Sequence, residues 1–260
     1  MKNTVYDTDL TDEQWALLAP MLPKPKSLGR PPTDRRRIID AIFYLLKGGL
    51  QWRLLPKTFP PWPTVYHVFR QWAKDHLWES LNARLRAKVR KTHDKDCRPT
   101  AAILDSQSVK SDSHGGAVGY DAAKRIKGRK RHLLVDTLGL LLGVQVTPAS
   151  VPERAGGRGL LERALRWFTW LRRLWVDGGY SGEAFAQTVR ELRPGLAVEV
   201  VKRSDDLQGF KVLPRRWVVE RTIGWLMRCR RLVRDYERTE ASAEAWVYLA
   251  MIRLQARRLA

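Results

Sequence analysis

The sequence predicts a protein of mixed α+β or α/β class. A small all-helical region over residues 1–95 precedes a mixed β-sheet with helices on its faces over residues 96–260. Two observations predict the division. Up to about residue 91, apolar residues recur at helical spacing between Pro-rich turns; beyond residue 100 they fall into short runs that alternate with helical stretches. Between the two patterns, Thr92 to Pro99 is polar and without period, which is where the boundary belongs. A third observation concerns partners rather than fold: 48 Lys and Arg stand against 27 Asp and Glu, a net charge of +21.

In the first region, Thr11 and Gln14 have the spacing of a capping box and open a helix through Trp15, Leu17 and Leu18 that Pro20 and Pro23 end. Pro23 to Pro32 is a basic, Pro-rich loop. A second helix spans Thr33 to Lys47, with Ile38, Ile39, Ile42, Leu45 and Leu46 on one face and Gly48-Gly49 as its stop. Pro56 to Pro63 is a turn, and Thr64 caps a third helix through Val65, Val68, Phe69 and Trp72. Arg35, Arg36 and Arg37 begin one helix, while His67, Arg70, Gln71 and Lys74 are exposed on the next, so the pair has the outline of a helix-turn-helix. A basic helix follows from Ser80 to Lys91.

In the second region, Ala101 to Leu104 reads as a buried strand that ends in Asp105. A loop carries His114-Gly-Gly and the basic run Lys124 to His132. His132–Asp136 and Leu140–Thr147 then read as a hairpin, with Asp136 as a structural turn residue. Next come a helix over 153–169, a strand over 171–177 ending in Asp177, a helix over 182–192, a strand over 196–201, and a long helix opening at Arg215.

The charge is spread along the chain, with 19 basic against 10 acidic residues before residue 101 and 29 against 17 after it. That suits a protein lying along a long polyanion, double-stranded DNA or RNA, better than one with a single basic arm. Two cysteines without a Cys-x-x-Cys pair signal neither a disulfide framework nor a zinc site. The N-terminus lacks an apolar signal region, and no apolar run nears the ~20 residues that cross a membrane. A soluble cytoplasmic protein is therefore expected.

Asp105 and Asp177 each end an apolar strand and are followed by small residues. Glu220 lies on the final helix at the border of a face made by Val219, Ile223, Leu226 and Val233, with Arg216 one turn earlier. Three convergent carboxylates are what Mg²⁺ needs, and two such ions about 3.5 to 4 Å apart support in-line displacement at phosphorus. Lys110, Lys130 and Arg131 read as phosphate contacts. Around Glu220, Arg216, Arg221, Arg228 and Arg231 belong to a cluster dense enough to suggest contacts with the DNA backbone.

The segments Asp-Ser-Gln-Ser-Val-Lys at 105–110, Asp-Gly-Gly-Tyr-Ser-Gly at 177–182 and Arg-Trp-Val-Val-Glu-Arg-Thr at 216–222, with Gly-Arg-Lys-Arg-His at 128–132, resemble the DDE transposases of the IS5 family of bacterial insertion sequences. Leu-Thr-Asp-Glu-Gln-Trp at 10–15 and Gly-Gly-Leu-Gln-Trp-Arg-Leu-Leu-Pro at 48–56 resemble that family's amino-terminal domain. The resemblance covers nearly the whole chain. It implies an RNase H-like catalytic domain with Asp105, Asp177 and Glu220 as ligands of Mg²⁺, for which Mn²⁺ can substitute. It also implies cleavage and joining of DNA at terminal inverted repeats, by a homodimer or larger assembly at the nucleoid. Leu213 and Met227 depart from the family's Tyr and Lys, which assigns the DNA end to Arg228 or Arg231. A metal-dependent nuclease that joins nothing and a catalytically silent DNA-binding protein are the other classes these residues leave open.

Overall fold

The computed structural model describes residues 6–23, 33–112, 116–201 and 217–260. Helix α1 (Asp12–Leu18) begins at the expected capping box: Thr11 accepts the Gln14 amide and the Gln14 side chain accepts the Thr11 amide. Helix α2 (Arg35–Gly48) is capped by Asp34, and α3 (Trp62–Lys74) starts three residues earlier than a cap at Thr64 predicts, with Pro61 at the cap position and Pro63 in the first helical turn, where its missing amide costs nothing. Helix α4 (Leu77–Lys91) completes the amino-terminal set.

Strands β1 (Ala101–Lys110), β2 (Gly119–Asp121), β3 (Ile126–Asp136) and β4 (Leu141–Pro148) follow, then helix α5 (Glu153–Ala164), strand β5 (Arg173–Val176), helix α6 (Glu183–Leu192) and strand β6 (Ala197–Val200). The chain closes with α7 (Trp217–Met227), the single turn α8 (Arg230–Val233) and α9 (Glu240–Leu259). The sheet runs β2-β3-β1-β5-β6, with β4 also paired to β3. β3 runs antiparallel to both β1 and β4, while β5 and β6 run parallel to β1. This is the α+β, RNase H-like arrangement that the resemblance implies.

Three expectations are corrected. β1 does not stop at Asp105 but continues to Lys110, because residues 105–110 pair with 128–133 of β3. The basic run before His132 is not a loop but the first half of β3, whose Arg129, Lys130 and Arg131 are buried. The long final helix is broken into α7, α8 and α9, which leaves Val233 exposed instead of in the core.

Alternation along the strands divides the core. Ile103, Leu133 and Val135 face the amino-terminal helices, α7 and α9, whereas Ala102, Leu104, Leu134, Leu174 and Val176 face α5 and α6. The first of these cores runs without interruption from the helices of 1–95 into the sheet. Phe69 stacks on Trp246 of α9 at 4.8 Å between ring centroids, and Trp52 lies against the same indole. Polar groups cross the same boundary: Asn82 and Arg86 of α4 donate to the Leu141 carbonyl, and Gln255 of α9 donates to Asn82.

Asp136 has the structural role that its hairpin predicts. Its Oδ1 accepts the amides of Leu138 and Leu140, and its Oδ2 takes Arg90 Nη1 at 2.6 Å with both side chains almost fully buried. Breaking such a pair leaves a charge without its partner out of water, so Arg90→Ala should cost about 3 to 5 kcal/mol. Urea denaturation of the full chain checks this.

Candidate active site

Leu104 pairs with Val176 in the parallel β1–β5 ladder, so Asp105 and Asp177 occupy the next register position, side by side on strands about 4.8 Å apart. Both are half-buried. Side chains alternate along each strand. The two aspartates therefore share the face of Ile103 and Trp175, the face that α7 covers.

The chain supports each aspartate locally. Asp105 Oδ1 accepts the Ser106 amide at 2.6 Å, and Asp177 Oδ1 accepts the Gly179 amide at 3.0 Å as the cap of a short turn, Gly178–Tyr180. Small residues matter here. A Cβ on Gly179 would stand 3.1 Å from Asp177 Oδ1 and 2.1 Å from Glu153 Oε2, while one on Gly178 would meet nothing. Two carboxylates thus border one side chain-free hollow.

Glu220 is exposed on α7, on the stripe that continues through Ile223 to Met227. Met227 accepts the Gln107 side-chain amide at its sulfur, 3.2 Å away, so this stripe lies over the row of β1 that carries Asp105. Among the described residues no three His, Cys, Asp or Glu side chains already form a closed metal set. The donors suit a hard cation nonetheless, since Mg²⁺ binds through one or two carboxylates and keeps water and phosphate as its other ligands.

Sequence reasoning missed two residues at this site. Glu153, the first residue of α5, accepts the Ser106 hydroxyl at 2.8 Å and pairs with Lys124 at 3.3 Å. Burial would raise its pKa, but these two partners outweigh burial and hold it below the usual carboxylate range. Tyr180 is buried beside Ser106, its hydroxyl without a hydrogen bond of good geometry. Burial first, then the charges of Asp105, Glu153 and Asp177, push its phenol well above the ordinary value. An acid at the start of a helix entered straight from a strand was the available signal for Glu153.

The expected DNA contacts divide into two groups. Lys110, Arg70 and Arg228 are exposed and Arg35 is half-exposed. Lys110 borders an open cleft of about 340 Å³ with Arg125, Lys127, Arg234 and the exposed Tyr120. The others are occupied within the protein. Lys130 pairs with Asp121 and donates to the Val151 carbonyl. Arg131 is sealed in the core on the Leu232 carbonyl, and Arg231 is buried between Glu237, the Leu50 carbonyl and the Trp246 ring. Those three are corrections: long cationic side chains were read as exposed, but their acceptors come from distant segments. Arg36 bonds Asp12 and the Leu10 carbonyl, and Arg221 lies over Trp217 and Trp225. Arg216 and Leu213 lie outside the described residues.

Residues 96–254 match the family described as Transposase DDE domain, and residues 10–82 match a transposase family of the IS4/5 group. The insertion element IS402 uncharacterized 16.2 kDa protein of Burkholderia cepacia is 32% identical over 117 residues, 42% of this chain and 78% of that protein.

His132 of β3 holds α5 against the sheet. A Cβ on Gly156 would fall 2.0 Å from its Nε2, so helix and imidazole fit only because that residue is glycine. The ring is fully buried next to Thr147, and burial together with Lys130 lowers its pKa to about 4. The unfolded chain therefore binds the proton more readily. The stability owed to neutral His132 is complete above about pH 6.5 and declines as pH falls toward 4, by up to about 3 kcal/mol. Urea midpoints at pH 7.5 and 4.5 should differ less in His132→Gln than in the wild type.

Proposed function

Since the chain belongs to the DDE transposases of insertion sequences, we propose that it binds the terminal inverted repeats of its element, cuts the DNA there and joins the freed end to target DNA. The observation that carries the reading is the pair Asp105, within β1, and Asp177, just past the end of the parallel neighbour β5, under the helix that bears Glu220.

In this reading a water oxygen attacks the phosphorus at the element end, and the displaced oxygen leaves as a 3′-hydroxyl. That hydroxyl then attacks a phosphorus of the target, forming the new phosphodiester and releasing a target 3′-hydroxyl. Mg²⁺, or Mn²⁺ in its place, would activate the attacking oxygen and neutralise charge on the leaving one. Asp105 and Asp177 would hold the cation, and Glu220 of α7 would be its third carboxylate. Lys110 and its neighbours Arg125, Lys127 and Arg234 sit further along β1 from Asp105, where cations take the flanking phosphates.

Arg228, on the surface at the end of α7, serves the DNA end in place of the buried Arg231. In the amino-terminal helices Arg70 and Arg35 contact the repeat, and Arg221 lies at the same surface as α7. Two ends must be joined in one event, so the active form is a homodimer or larger assembly on nucleoid DNA.

Cleavage and joining of a labelled duplex carrying the element's own ends, with Mg²⁺ or Mn²⁺, tests this reading. Asp105→Asn, Asp177→Asn and Glu220→Gln should each reduce both steps by about 100- to 1000-fold or more, the scale of removing one group that stabilises developing charge. Cleavage at the wild-type rate in these variants would refute the assignment. Cutting of the duplex with no joining of pre-cut ends would point to a nuclease.

A further inference from the structure

The first turn of α5 touches the supports of both aspartates. Glu153 Oε1 accepts the Ser106 hydroxyl, and the Ser106 amide in turn holds Asp105 Oδ1. Arg154 Nε donates to the Gly179 carbonyl at 3.1 Å, and the Gly179 amide holds Asp177 Oδ1. Glu153 Oε2 is directed at the open side of Gly179, next to Asp177. One helical turn therefore grips β1 just after its aspartate and the loop just after β5, although the two strands belong to different parts of the sequence.

Resting on the reading of Asp105 and Asp177 as the cation-holding pair, we propose that Glu153 is a positioning residue of the active site: through Ser106 it fixes the carboxylate of Asp105, and with Arg154 it sets that carboxylate's place relative to Asp177. Two adjacent anions repel, so contacts such as these help to turn their oxygens toward a common point. A carboxylate tied to Ser106 and Lys124 on one oxygen limits the rotation of residues 105–106. The role is that of an outer partner that orients a ligand, whose removal typically weakens metal affinity 10- to 100-fold.

The test is Mn²⁺ binding to the full-length protein without DNA, followed by electron paramagnetic resonance of free Mn²⁺, alongside thermal melting in metal-free buffer. Glu153→Gln keeps the size of the side chain and an oxygen for Ser106 but removes the charge. It should weaken Mn²⁺ binding by about 10-fold or more with the melting temperature unchanged. Ser106→Ala breaks the same link from the other side and should weaken it to a similar extent. The double variant should lose little more than either single one, because the two residues act in one chain of contacts. Wild-type affinity in both single variants, with Asp105→Asn deficient, would overturn the role of Glu153 and leave the aspartate site standing. Wild-type affinity in Asp105→Asn as well would remove the underlying site assignment. A drop in affinity that only follows a lowered melting temperature in both variants would show a structural tether and overturn the proposal.

Discussion

The parallel pairing of β1 with β5 is the constraint on which the rest of the site depends. Side chains alternate with a period of two, so a slip of one residue in either strand would send its aspartate to the opposite face of the sheet. The observed register puts Leu104 and Val176 together in one core and leaves Asp105 and Asp177 together at the next step. Apolar burial on the α5 and α6 side therefore fixes the placement of the acids on the α7 side. Parallel strands also require a long crossover, and here it includes α5, the element whose first turn meets both acidic loops.

A protein of net charge +21 need not carry all its cations on the surface, and this one turns several inward. Arg129 donates to the Ala117 and Glu237 carbonyls and pairs with Asp235, and Arg131 donates to the Leu232 carbonyl. Arg231 is enclosed by Glu237 and two indole rings. These groups pin the segment between α7 and α9 to the sheet and to the amino-terminal helices. Desolvating a guanidinium is costly, and here carbonyls, carboxylates and ring faces repay it. Removing one partner would therefore disturb the position of α7 as well as local stability. The cations left for a polyanion are those that remain outside, such as Lys110, Lys127, Arg125, Arg234 and Arg228.

Met227 shows how a departure from family pattern is used structurally. Its thioether receives the Gln107 amide and seats the end of α7 on β1, where a Lys would bring a charge into a half-buried contact. The cation at that end of the helix is Arg228, one step around.

By itself the sequence determined the features that depend on neighbours along the chain. The Thr11 capping box, the hairpin turn at Asp136, the alternation of helix and strand from α5 to β6, and Asp177 at the end of its strand all follow from local spacing and turn chemistry, whereas the run of β1 past Asp105 depends on its pairing with β3. The tertiary structure decided what depends on acceptors far away in sequence. Lys130, Arg131 and Arg231 have the composition of a DNA-facing surface, and only the arrival of Asp121 with Val151, of Leu232, and of Leu50 with Glu237 makes them interior. As an acid opening a helix Glu153 was ordinary, and it joins the site because the first turn of α5 meets Ser106 within β1 and Gly179 in the loop after β5. Periodicity records which face of an element is apolar; it holds no record of which distant backbone will meet a long polar side chain, and that meeting is set by the packing of the whole core.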